Sequence, residues 1–175
     1  IPNNSILKAF RKNILEYFSK DKAQLAKAND IIKAIFDGKA LDLSNALEDA
    51  LAQYISVRDF SSNEPKESYY QGFLNGFFSS QKDMLKGYAS NAELVNGYAD
   101  ITFKNKRKDL AVIIEIKHAN DEFQNQAKAT EALEQIEKNK YVLNYKNDGY
   151  VTKIFCYGIS FNKKSCYVAF KEIQK

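Results

Sequence analysis

Ala111-Val112-Ile113-Ile114-Glu115-Ile116-Lys117 is an apolar run that ends in two opposite charges. Such a run suits a strand. Side chains then alternate between faces, so Val112, Ile114 and Ile116 share one face and Ile113, Glu115 and Lys117 the other. Charged groups seldom enter an apolar strand without a partner or a purpose. Upstream lies Gly97-Tyr98-Ala99-Asp100-Ile101-Thr102-Phe103. Its alternation turns Ala99, Ile101 and Phe103 towards a core and Tyr98 and Asp100 away. The polar segment 105–108 reads as a turn between the two strands. A hairpin would set Asp100 beside Glu115.

Two carboxylates brought together repel unless a cation lies between them. Oxygen ligands suit a hard divalent ion such as Mg²⁺ or Mn²⁺. Lys117 would lie one strand repeat, roughly 7 Å, beyond Glu115. A metal ion can activate water for phosphodiester hydrolysis, and a nearby Lys can stabilise the phosphorus-centred charge or orient the water. The bland alternative is an Asp at a turn and an edge-strand Glu–Lys pair, and spacing alone does not choose. Glu64-Pro65-Lys66 has the same Glu-x-Lys form, but it sits at a helix start with no apolar strand before it.

Further out, the period changes. Residues 5–83 read as helices. Ile6, Leu7, Phe10, Ile14, Leu15 and Phe18 recur at helical spacing. So do Leu25, Ala28, Ile32, Ile35 and Phe36, before a C-cap at Asp37-Gly38. Asp42 or Ser44 can cap a third helix through Leu47, Leu51, Tyr54 and Ile55. Pro65 suits the first turn of a fourth, to about residue 82. Tyr69, Tyr70, Phe73, Phe77 and Phe78 recur at a spacing that favours core over a base-stacking surface. Strands are expected at 85–88, 98–104, 110–117, 150–161 and 166–170. A long helical stretch between them carries Ala129, Ala132, Leu133, Ile136 and Tyr141. Ser, Asn and Pro cluster at 60–65, a soft boundary between a helical extension (1–63) and a second unit (64–175).

Composition narrows the class. Hydrophobic residues are 45% of the chain, with 12 Phe and 11 Tyr, so a packed core is expected rather than disorder. The net charge is +4, and all of the surplus falls in 84–175. A phosphate-rich partner would dock there, although a Lys-rich solvated surface reads the same way. With few arginines (Arg11, Arg58, Arg107), bidentate recognition by many arginines is not written here. A hairpin turning near 162–165 would put Cys156 opposite Phe170, not Cys166. Both cysteines are therefore expected as free thiols in a reducing compartment, the cytoplasm. There is no membrane-length apolar run or signal peptide. The first residue is Ile1, not Met, so a piece of a longer protein is expected. His118 is the sole histidine. It should point away from the Lys117 face, and no role is assigned to it.

Gly97-Tyr98-Ala99-Asp100 followed by Ile113-Ile114-Glu115-Ile116-Lys117 resembles the PD-(D/E)XK nuclease superfamily. The likeness extends to 67–74, similar to a preceding helix with an acidic residue aimed at the metal site. Residues 90–97 resemble the strand into the Asp. Residues 132–136 with 140–141 resemble the following helix, whose Gln assists the site, and 157–161 a further core strand. The resemblance implies an α+β fold: a helical extension, then a restriction-endonuclease-like αβββαβ core with a mixed central sheet. It implies metal ligation by Asp100, Glu115 and the Ile116 carbonyl, with Lys117, Glu67 and Gln135 as further catalytic residues and Glu93 as a lesser contributor. It implies Mg²⁺ (or Mn²⁺) and a nucleic-acid substrate, DNA first. The nearest branch lies at the C-terminus of bacterial AAA-ATPase-like proteins, which implies an ATPase module before Ile1. That branch commonly has Arg where this chain has Tyr98. The departure keeps open an alternative, a non-catalytic module regulating or targeting an attached ATPase. A third option is an interaction domain that reuses the fold.

Overall fold

A computed structural model describes residues 4–20, 22–54 and 67–175. The side chains of Ile6, Leu7, Phe10 and Arg11 lie outside what is described. So does 55–66, which holds Ile55, Arg58, the Glu64-Pro65-Lys66 triplet and the expected boundary. Among the described residues four helices come first: α1 (Asn4–Ser19), α2 (Lys22–Phe36), α3 (Ala40–Tyr54) and α4 (Glu67–Ser80). Five strands follow: β1 (Lys86–Leu94), β2 (Gly97–Lys104), β3 (Leu110–His118), β4 (Lys153–Asn162) and β5 (Ser165–Gln174). Helix α5 (Asn125–Lys138) lies between β3 and β4. The sheet order is β1-β2-β3-β4-β5. Among the described strand pairs only β3 and β4 run parallel, so the sheet is mixed as expected. A parallel pair needs a long crossover, and α5 supplies it.

The alternation in β3 sorts the two layers. Val112, Ile114 and Ile116 join Phe155, Tyr157, Ile159 and Phe161 in a core with residues of α1–α4. Ala111 and Ile113 face the other way and pack with Ile154, Cys156, Ile136 and Tyr141. Phe73, Phe77, Phe78 and Tyr70 are buried, so that aromatic stripe is core. Ile14 and Phe18 of α1 and Leu43, Leu47 and Leu51 of α3 belong to the same cluster.

Gly38 ends α2 as expected, at φ +70. A Cβ there would lie 2.9 Å from the Phe170 ring, so the turn also needs glycine for space. The cap expected on α3 is not formed by Asp42 or Ser44, because the helix already begins at Ala40. Asp42 sits in the first turn instead, where a negative charge suits the helix end. Ser44 Oγ donates to the Cys166 carbonyl at 2.8 Å, and Glu48 Oε1 accepts from the Cys166 N–H at 2.8 Å. Both ties fasten α3 to the start of β5.

Three sequence expectations shift. The first strand runs to Leu94 rather than stopping near 88, through polar Ser90, Asn91 and Glu93. Its partner ladder with β2 holds it in place of apolar alternation. The expected long helix is broken at Lys140, which takes a left-handed conformation (φ 54). Tyr141 then begins a separate 3-10 turn, Tyr141–Tyr145, yet is still buried. Cys156 pairs with Lys171, one residue on from Phe170, because only Lys163 and Lys164 form the β4–β5 turn. Both cysteines are buried and free.

Candidate active site

The β2–β3 ladder runs from Lys104↔Ala111 to Ile101↔Ile114 and stops there. Beyond it the Asp100 side chain replaces a main-chain partner, and Oδ2 accepts the Ile116 N–H at 2.8 Å. In the β1–β2 ladder Asn91 sits at the same level, at φ 52, between the pairs Ser90↔Ile101 and Ala92↔Ala99. Strict alternation therefore does not pass through Asp100. Ala99 packs on the α5 side, while Ile101 and Phe103 pack towards α1–α4, which corrects the expectation that all three share one face.

Helix α4 holds this notch. Gln71 Nε2 donates to Asn91 Oδ1 at 2.8 Å and to Asp100 Oδ1 at 3.2 Å. From the other side, Gln135 Nε2 of α5 donates to Glu115 Oε2 at 3.1 Å. Glu115 is only 2% exposed, and its Oε1 is buried with no hydrogen-bond donor among the described residues. Asp100 lies within hydrogen-bonding reach of Glu115, but two carboxyls bond only while one keeps a proton. Burial, and then the charge of Asp100, push the Glu115 carboxyl up to about 9. Burial also raises Asp100, the Ile116 N–H opposes it, and the charge of Glu67 adds to the rise. Lys117 pulls both carboxyls down.

An open pocket of about 540 Å³ is lined by Glu67, Ser68, Gln71, Asp100, Ile116 and His118. Asp100, Ile116 and Glu67 thus line one pocket, with Glu115 adjoining through Asp100 and Gln135 reaching Glu115 from α5. Glu67 is exposed at the start of α4, while Tyr70 and Leu74 further along the helix are buried. Lys117 does not line the pocket; its charge reaches Glu131 on α5. Glu93 is exposed opposite Tyr98, away from the pocket lining. Sequence reasoning missed Gln71, Asn91 and His118 as site residues. For Gln71 a signal existed, since it lies one helical turn from Glu67.

The donor set fits a hard divalent cation. Its atoms are all oxygen: two carboxyls and the main chain of Ile116. Among the described residues no three His, Cys, Asp or Glu side chains cluster to hold a metal. A cation here would need water to complete its shell, as Mg²⁺ commonly does. Its charge would satisfy the orphaned Glu115 oxygen.

A pH prediction follows from the raised carboxyls. The fold retains the Glu115 proton above 4.5, where the unfolded chain releases it, up to about 9. The unfolded state then binds fewer protons, so stability falls as pH rises through that window. The raised Asp100 has the same sign. Thermal melts in EDTA are expected to drop by several degrees between the ends of this range, with Mg²⁺ restoring the loss. A flat or rising profile would show that the carboxyl pair is not strained.

No curated protein matches the sequence. A family model described as the PD-(D/E)XK nuclease superfamily matches residues 65–171. That span contains α4, β1 to β4, α5, most of β5 and every residue of the notch. The chain belongs to the PD-(D/E)XK nuclease superfamily.

Proposed function

We propose that this chain is a metal-dependent nuclease that hydrolyses phosphodiester bonds in DNA with Mg²⁺ (or Mn²⁺). The observation that carries this reading is the buried, donorless Oε1 of Glu115 beside Asp100. A structural carboxylate pair would be expected to have its oxygens satisfied. Asp100, Glu115 and the Ile116 carbonyl would hold the ion. When bound, the ion would lower the pKa of its water and neutralise charge on phosphorus. Gln135 fixes the orientation of Glu115, and Gln71 that of Asp100. Lys117, on the α5 side, stabilises the developing phosphoryl charge or orients the attacking water. Glu67 acts from the pocket wall, directly or through water. The positive surplus of 84–175 favours a polyanionic partner.

Calorimetry with Mg²⁺ and Mn²⁺ tests the site. The parent is expected to bind, and Asp100→Ala and Glu115→Ala to abolish binding. Gln135→Ala should weaken Mg²⁺ affinity about 10–100-fold, the usual loss for a residue that orients a ligand. A parent that binds neither ion refutes the metal site.

A second reading keeps one observation in its favour. Tyr98, where the resembled branch commonly has Arg, is exposed. The chain would then be a non-catalytic module serving an attached AAA-type ATPase, with 1–63 as the helical connection and 64–175 as the nuclease-like unit. The two free cysteines suit a cytoplasmic setting. No described helix is long and apolar enough to cross a membrane. Metal binding without cleavage of DNA or RNA would favour this second reading.

A further inference from the structure

We propose that His118 binds a non-bridging oxygen of the scissile phosphodiester from the α4 side, opposite Lys117. This assignment rests on the nuclease reading above. Neighbours on a strand leave it on opposite faces. Lys117 goes towards α5, where its charge reaches Glu131. His118 goes towards α4 and lines the pocket with Glu67, Asp100 and Ile116.

The imidazole lies beside the Tyr70 ring. It stacks on Tyr70 with centroids 6.3 Å apart and planes 19° apart. Tyr70 is itself fixed: it is buried, stacks on Phe161 at 4.5 Å, and donates its hydroxyl to the Lys163 carbonyl at 2.9 Å. A stacking contact of this kind uses neither ring nitrogen. Neither has a hydrogen-bond partner among the described residues.

The rest of the wall needs such a donor. Glu67 and Asp100 repel a phosphate. The Gln71 amide is committed to Asn91 and Asp100, and the Ile116 N–H to Asp100. Ser68 and His118 remain as side-chain donors in the lining, and the imidazole is the one set on a buried ring. A phosphodiester brought to the carboxyls would meet Lys117 on one flank and His118 on the other. The sequence hid this, because alternation sends His118 away from Lys117, and only the packing of α4 shows that a pocket lies on that side too.

Steady-state cleavage of an oligonucleotide in Mg²⁺ tests the assignment with His118→Asn and His118→Ala. The expected result is a fall of roughly 10²-fold in kcat/KM, the scale for one lost oxyanion donor. Mg²⁺ affinity by calorimetry and the melting temperature should stay close to the parent's. Added imidazole should restore part of the activity of His118→Ala, which a packing role would not allow. Cleavage within about twofold of the parent would overturn the proposal, as would a loss matched by an equal loss of Mg²⁺ binding or of fold. A parent that binds metal but cleaves nothing would sink the nuclease reading itself, and this assignment with it.

Discussion

Glu115→Gln is expected to lose at least about 10²-fold of metal-dependent cleavage while melting higher than the parent in EDTA near pH 8. The two effects come from one cause. Glu115 is almost fully buried beside a second carboxyl, and its ordinary charge is suppressed up to about 9. An amide has nearly the same shape and no charge to desolvate. Its oxygen can keep the bond from Gln135, and its NH₂ can donate towards Asp100, so no new polar group is orphaned. Stability should therefore rise by at least about 1 kcal/mol at a pH where the parent carries strain. Metal affinity should collapse, because the neutral amide supplies neither the charge nor the second oxygen. Binding sites are often kept at a cost in stability, and this pair is a direct test. Retained cleavage would remove Glu115 from the site. A lower melting temperature would show that the carboxyl pair was not strained.

The same strand shows what local pattern can and cannot reveal. Alternation in 111–117 separated Glu115 from the Ile114 and Ile116 core face, and the hairpin brought Asp100 level with it. Those are consequences of period-two geometry, which is local. Gln135 also met its partner, but that reading came from the resemblance, since nothing in the helix's own pattern points at Glu115. Asn91, Gln71 and His118 were missed because their roles depend on how α4 lies against the edge of the sheet. The end of α5 was missed for another reason. Lys140 is neither Gly nor Asn, so its left-handed turn left no mark of the usual kind. The ladder break at Asp100 was equally silent, because an Asp accepting a strand N–H looks in sequence like any polar outward residue.

Gly158→Ala is expected to destabilise the protein by about 3 kcal/mol or more, the upper range for overpacking. The parallel register places Gly158 directly opposite Glu115, under α5. A Cβ there would lie 2.1 Å from the Ala129 carbonyl oxygen and 2.5 Å from the Leu133 N. Both are main-chain atoms, so no side chain can swing aside. The helix itself must lift. Conformational freedom is not the issue, since Gly158 is absent from the positive-φ positions. The site needs the missing atom: close approach of α5 is what lets Gln135 reach Glu115 at 3.1 Å. Lifting the helix should therefore weaken Mg²⁺ binding as well as lower the melting temperature, by roughly 6–12 °C at this chain length. Gly149→Ala is the matched control, because nothing lies within 4 Å of its added Cβ and it should be nearly silent. If both variants melted alike, α5 would not be seated on the β4 backbone. The link from a glycine in β4 to the carboxyl in β3 would then have to be abandoned, and Gln135 would lose its stated means of orienting Glu115.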